Sequence, residues 1–305
     1  MFRELASLSG LSLERLASLC EVGEAGSIGQ AARGDANRQS LLSRQIAELE
    51  AVFGVALLAR QSKPFRLTEE GRELARAART FFQAAEDVRS RAGGEARRVV
   101  IGAGETLIQW LLFPACEAVR RGLGEPVVFA FKNLESARLV EVLHQGVVDA
   151  ALIRPEDAGP GLVCARAWRY EQAAFVPKAL SGGTAALRAV DLGAFSWAVL
   201  EGRGHFRRFL EERARAAGVR LNAALECSSY TQVALAVRSG RYAGFLPEFA
   251  KPYLGGGEPV IRRALESALA YQRGVVLAWR EAGVKARPFL AEVFEGLERG
   301  LGRRL

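Results

Sequence analysis

In the N-terminal part of the chain, apolar residues return at intervals of three and four. Leu13, Leu16, Ala17 and Cys20 mark the buried face of a first helix. The run "IGQAARG" follows, with Ser27 as N-cap, small Ala31 and Ala32 that let a neighbour approach, and Gly34 as its end. After the turn "GDAN", Leu42, Ile46, Leu49 and Phe53 recur at i, i+4, i+7 and i+11, which predicts a third amphipathic helix stopping at Gly54. Three short helices around a tight middle turn have the form of a helix-turn-helix. "VALLARQSKPFRLTEEG" then reads as two short strands around a basic turn, running into a helix capped by Thr68 with Glu69 and Glu70 in its first turn. That helix, "EEGRELARAARTFFQAAEDVRSRA", carries Leu74, Ala77, Ala78, Phe81, Phe82, Ala85 and Val88 as a broad apolar stripe, so it needs a partner. "GGE" after it reads as a hinge.

From there the period changes. "RRVVIGAG", "PVVFAF" and "VDAALIR" are strand-like and alternate with the helical "LIQWLLFPACEAVRRGLG" and "LESARLVEVLHQG". The alternation resumes with "FSWAVLE", "HFRRFLEERARAAG", "NAALECSS", "YTQVALAVRSG" and "YAGFLP", and closes with "YQRGVVLAWRE" and a terminal helix "RPFLAEVFEGLERGL". Strands alternating with helices predict a parallel α/β sheet.

Composition changes this picture little. A chain of 305 residues that is 50% hydrophobic is expected to form two or three compact units. Arg3, Glu4, Glu14 and Arg15 interrupt the N-terminal apolar residues as a signal peptide does not, and no later stretch suits a membrane helix, so a cytoplasmic location is expected. The four cysteines form no C-x-x-C pair and are expected to be reduced and buried, with Cys227 the one candidate redox sensor. Two histidines make a metal site improbable, and no cofactor is expected. The net charge of +8 favours a polyanionic partner, but the first 91 residues hold thirteen Lys/Arg against twelve Asp/Glu. Bulk charge therefore does not single out a nucleic-acid-binding region; local placement must.

With these elements in order, the chain resembles the LysR-type transcriptional regulators over almost its whole length. The residues that carry the likeness are "GSIGQAA", "LSRQIAELEAVFGVALLAR" and "RLTEEG" in the first part, then "LLFP", "LHQGVVDAALIR" and "VRSGRYAGFLP". The resemblance implies a winged helix-turn-helix over residues 1–67 and a dimerising linker helix with hinge over 68–94. It further implies an effector domain over 95–305, built of two α/β subdomains like a periplasmic binding protein. The implied partners are a double-stranded DNA operator, a small-molecule effector, anionic among the options, and further copies of the chain as homodimer or homotetramer.

The resemblance makes Arg38 to Glu50 the recognition helix. Gln39 suits adenine and Arg44 suits guanine or phosphate, while Arg38, Ser40, Ser43 and Ser27 can touch bases or backbone. Arg60, Lys63 and Arg66 in the wing are better matched to phosphate. Each of these residues has a plainer reading as solvated surface. Asp35 and Asn37 stand where the family usually has apolar residues in the turn. Asn37 escapes the cost of burial if it caps the recognition helix, with Asp35 closing the turn before it. Ser40 and Leu41 replace the usual Pro and Ala, and Leu41 either meets a thymine methyl or packs on the neighbouring helix.

For the effector, family position puts Glu105, Thr106 and Asn133 on one wall of a cleft, with Gly202, Arg203, His205, Ser228 and Ser229 on the other. Arg203 pairs with an anion or is a surface arginine. Glu105 is unexpected in an anion pocket and suggests an effector carrying an amine, or none. The competing reading is a ligand-binding or catalytic α/β protein whose N-terminal helices only dimerise. Against catalysis, "GAGE" lacks the Lys-Ser/Thr of a phosphate loop and neither histidine sits in a recognisable triad.

Overall fold

The computed structural model describes residues 3, 7–61, 63–183, 185–202 and 204–305. Three helices open the described fold: α1 (Leu13–Ala25), α2 (Ile28–Ala32) and α3 (Ala36–Phe53). Ser12 caps α1, Ser27 caps α2, and α3 ends on Gly54, whose φ of 66° is one that side chains rarely adopt. Leu19, Val22, Ile28, Ala31, Leu42, Ile46 and Leu49 form their common core. A polar interlock crosses it: buried Gln45 accepts from Ser18 at 2.6 Å and donates to Glu14 at 2.9 Å, tying α3 to α1.

Strands β1 (Leu58–Ala59) and β2 (Arg66–Leu67) pair antiparallel as a small wing. Glu50 anchors the wing to α3 by accepting from the amides of Leu57 and Leu58 at 2.8 and 3.0 Å. Helix α4 (Glu69–Ala92) then runs the full length predicted, its first turn capped by Thr68. A Cβ on Gly71 would stand 2.3 Å from the carbonyl oxygen of Leu57, so only glycine lets α4 lie this close to the wing. Helix α4 has two apolar faces. Ala75 and Ala78 are buried within the chain, whereas Phe81 and Val88 are 53% and 58% exposed, with Ala77 and Ala85 exposed beside them.

The remainder is one ten-stranded sheet folded into two lobes. In the first lobe β3 (Arg97–Ala103) pairs parallel with β4 (Val127–Asn133) and β5 (Ala150–Ile153). Its helices are α5 (Glu105–Leu107), which passes through a π-helical turn (Ile108–Leu112) into α6 (Phe113–Gly122), then α7 (Ser136–His144) and the C-terminal α11 (Phe289–Gly302). After β6 (Leu162–Cys164), the long β7 (Trp168–Pro177) leads into the second lobe. There β8 (Trp197–Leu200), β9 (Ala223–Cys227) and β10 (Ala243–Pro247) are joined by α8 (His205–Ala216) and α9 (Tyr230–Arg238). Strand β11 (Val260–Arg263) edges β7, and β12 (Gln272–Arg280) returns to the first lobe before the short α10 (Glu281–Ala286).

The expected parallel sheet holds within each lobe and fails between them. Strands β7 and β12 pair antiparallel with each other and with β10 and β5, so the two lobes share a crossing pair of strands. Strand β7 alternates half-buried and exposed positions up to Glu171 and is continuously buried afterwards, a mixed pattern with no single period.

Polar contacts centred on Glu24 and on Arg287 help seat the N-terminal part on the lobes. Glu24 on α1 accepts from Arg79 of α4 at 3.2 Å and from Lys132 of β4 at 2.5 Å. Burial opposes charge on Glu24, but the hydrogen bonds and charges of Lys132 and Arg79 hold its carboxyl below the usual range. Behind α4, Arg287 bonds Asp87 at 2.5 and 3.0 Å and Asp149 at 2.6 Å, and donates to the carbonyl of Arg98. All three side chains are almost wholly enclosed.

Candidate nucleic-acid interface and interlobe cleft

The first turn of α3 begins two residues earlier than sequence reasoning places it. Asp35 is the N-cap: its Oδ1 accepts from the amides of Asn37 at 2.8 Å and Arg38 at 3.2 Å. Asn37 lies inside the helix and exposed, which corrects the expectation that it caps. An aspartate before the first turn also adds a negative charge where the helix dipole favours one.

Capping exposes one continuous strip of α3. Arg38, Gln39, Ser40, Leu41 and Arg44 are all exposed, and Ser43 is half-buried. Gln39 and Arg44 make no side-chain bond among the described residues, so their donors and acceptors are free for an external partner. Arg38 bonds Glu21, and the Ser40 hydroxyl donates back to the carbonyl of Ala36 at 2.9 Å. Leu41, at 40% exposure, leaves its apolar surface to solvent instead of packing on a neighbouring helix.

In the wing, Lys63 and Arg66 are exposed and unpaired among the described residues, while Arg60 reaches back to Glu50 at 2.7 Å. Ser27 is different. It is 1% exposed, and its hydroxyl is used up capping α2, accepting from the Gln30 amide and donating to the Gln30 side chain at 3.0 Å. It supports the strip from beneath and has no surface with which to touch DNA.

Between the two lobes lies a cleft of about 870 Å³, large enough for a small metabolite. It brings together Glu105, Thr106, Asn133, His205, Ser228 and Ser229 from four separate turns, as family position implies. Gly202 sits in the turn after Glu201 and is not among the lining residues; Arg203 lies outside the described residues. The turns face the cleft because strand ends and helix starts of both lobes converge there, where unbonded amides gather. Ser229 caps α9 by accepting from the Gln232 amide. One chain of bonds already spans the gap: Thr231 of α9 donates to Gln109 at 2.6 Å, and Gln109 donates to Glu105 at 3.1 Å.

The floor of the cleft comes from the crossing strands, which sequence reasoning left unassigned. Tyr170 of β7 and Arg273 of β12 are cross-strand partners, and both line the cleft with Tyr230 and Arg154. Arg154 is held by Asp157 at 2.8 and 2.9 Å. The only signal for Arg273 was a charge beside the strand-like "GVVLAW" near the C-terminus, far in sequence from every other lining residue.

The cysteines carry less chemistry than the sequence allows. Cys20, Cys116 and Cys227 are buried, but Cys164 is exposed, against expectation. Burial, with Glu201 nearby, pushes the Cys227 thiol up, which keeps it protonated and argues against a reactive role. Among the described residues no cluster suits a metal ion, and no helix is long and apolar enough to cross a membrane.

Comparison with known proteins covers both parts of the chain. Residues 13–72 match the model of the bacterial regulatory helix-turn-helix protein, lysR family, and residues 92–297 match the LysR substrate binding domain. A probable nitrogen assimilation transcriptional activator from Synechococcus elongatus is 26% identical over 79% of this chain and 80% of its own length. Among solved structures, a full-length OxyR variant from Pseudomonas aeruginosa aligns at a TM-score of 0.65 and 20% identity, covering 95% of this chain and 94% of that one. Full-length LysG from Corynebacterium glutamicum aligns at 0.63 and 19%, covering 97% and 99%. With the head and the two-lobed domain both matched in order, the chain belongs to the LysR family of bacterial helix-turn-helix transcriptional regulators.

Proposed function

We propose that the chain regulates transcription as a homodimer, joined through the exposed stripe of α4 and paired further into a tetramer. Each dimer presents two α3 helices to major grooves about 34 Å apart on a dyad-symmetric operator. The observation that carries this reading is the pairing of a free polar strip on α3 with an unpartnered apolar stripe on α4. Residues Ala77, Phe81, Ala85 and Val88 follow helical spacing, and exposed Phe and Val side chains in such a row are costly in a lone protomer.

Gln39 and Arg44 read bases, whereas Ser43, Lys63 and Arg66 meet the backbone. Arg38 and Arg60 exchange Glu21 and Glu50 for phosphate, an exchange that costs little because exposed ion pairs contribute at most about 1 kcal/mol. A small molecule in the interlobe cleft sets the arrangement of the heads by binding one arrangement more tightly than another. What supports that coupling is adjacency: Asn133 lines the cleft, and the preceding residue, Lys132, bonds Glu24 of the head.

The test is Phe81→Glu, read by sedimentation and by binding to an operator duplex. The expected result is a monomer that binds the operator at least tenfold more weakly while its circular dichroism stays that of the folded parent, with a melting temperature lowered only by the lost association. A variant that remains dimeric, or a monomer that binds as tightly, overturns the reading.

A further inference from the structure

Two polar side chains at the floor of the cleft, Arg273 and Tyr230, have more bonding capacity than the protein uses, and a third, Gln172, lies beside them on β7 without lining the cleft. Arg273 has no carboxylate partner among the described residues, although Arg169 and Glu171 flank its cross-strand partner Tyr170. Tyr230 is 8% exposed, and its hydroxyl meets no hydrogen-bond partner in the protein. Gln172, two residues along β7 from Tyr170 and 2% exposed, has neither amide atom bonded. Buried polar groups are nearly always paired, because leaving one without a partner costs its full desolvation. A cluster of such groups beside a cavity marks a place where a ligand completes the bonding.

The electrical setting narrows the ligand. Arg273, Arg154 and His205 line the cleft and also an adjoining hollow of about 540 Å³, to which Arg169 contributes a further guanidinium. Burial pushes the phenols of Tyr230 and Tyr170 upward, so each stays protonated and able to donate. Donors therefore converge on the floor, which suits an anion. Higher on the walls stand Glu105, Glu135 and Glu201, with Glu156 in the adjoining hollow. Those carboxylates repel a doubly charged phosphate more than a single carboxylate, and a planar carboxylate matches the fork of a guanidinium.

We propose that the cleft binds a small carboxylate, seated on its floor between the guanidinium of Arg273 and the phenol of Tyr230. The assignment rests on the reading of this cleft as the effector site and names the chemistry that site selects. Tyr170 donates from the facing strand, and the groups near Glu105 read whatever the molecule carries at its other end. Because Arg273 and Tyr230 belong to the crossing strand and to a second-lobe helix, a carboxylate between them fixes the relation of the lobes.

The experiment uses the full chain without DNA, with acetate, succinate, benzoate and inorganic phosphate as separate probes and sodium chloride to match ionic strength. At least one carboxylate raises the melting temperature by about 2–4 °C, the shift expected of a ligand adding about 1 kcal/mol to a chain of this size. Arg273→Gln and Tyr230→Phe each lower its affinity, the first by about tenfold or more, as losing a charged hydrogen bond implies. Without ligand, Tyr230→Phe melts no lower than the parent, since it removes only an unpartnered hydroxyl; this keeps the test intact if Arg273→Gln folds poorly. Three results overturn the proposal: no shift with any carboxylate, a larger shift with phosphate, or equal shifts in parent and both variants. A second arm measures operator affinity with and without the carboxylate that binds. Binding that depends on Arg273 but leaves operator affinity unchanged removes the effector reading while the subsite stands.

Discussion

The DNA-facing head and the two-lobed domain solve the same problem, satisfying polar groups, over different distances along the chain. In the head the solutions are local: Asp35 caps amides two and three residues ahead, and Ser27 does the same for Gln30. In the lobes they are remote: Arg287 bonds Asp87 across 200 residues, and Lys132 bonds Glu24 across 108. The difference separates roles. Short-range caps shape a surface and leave its outer side chains free, whereas long-range pairs decide how whole elements sit.

The largest expected effect comes from cutting a remote contact. Arg287→Leu leaves Asp87 and Asp149 enclosed without their cation and is expected to cost about 3–5 kcal/mol in denaturant melts. A loss no greater than that of an average surface change removes the claim that this network seats α4 on the lobes. Acid should loosen the other remote contact. Glu24 has a folded-state pKa below its unfolded one, so its contribution is present above the ordinary carboxylate range and is lost as pH falls through the depressed value. Hydrogen exchange on α1 is expected to rise in the acid range in the parent but not in Glu24→Gln, where the exchange is already raised.

The local contacts give smaller changes in stability and sharper changes in function. Arg44→Ala is expected to weaken operator binding by about 1–3 kcal/mol with stability within about 0.5 kcal/mol of the parent. Equal weakening on operator and random DNA would reduce Arg44 to a phosphate contact. Asp35→Ala should cost about 1 kcal/mol of stability as a lost cap, and Asn37→Ala almost nothing. If the order of those two is reversed, the cap is misassigned.

The same contrast explains what could be read in advance. Helices α1, α3 and α4 announce themselves through spacing alone, and Thr68 and Gly54 mark their ends, so the head and the long helix are visible residue by residue. The turn was the exception. Asp35 and Asn37 are both good caps, and pattern cannot choose between neighbours that differ by two positions. Gln45 falls on the buried side of α3 one turn before Leu49, and what spacing alone does not give is its partners, Ser18 and Glu14, which satisfy it inside the core. The walls of the cleft were legible only through family position. Its floor was not, because Tyr170 and Arg273 meet by pairing of strands about a hundred positions apart, and β7 changes its burial pattern halfway along.

The central claim is that the exposed strip of α3 reads sequence and that Gln39 and Arg44 are the readers. Selection from a pool of randomised duplexes, run in parallel on the parent chain and on a Gln39→Ala, Arg44→Ala double variant, tests it most directly. The account predicts a dyad-symmetric motif for the parent and, for the double variant, lost preference at specific positions of each half-site with residual binding to random DNA retained. The same motif recovered at the same strength from both proteins would contradict it.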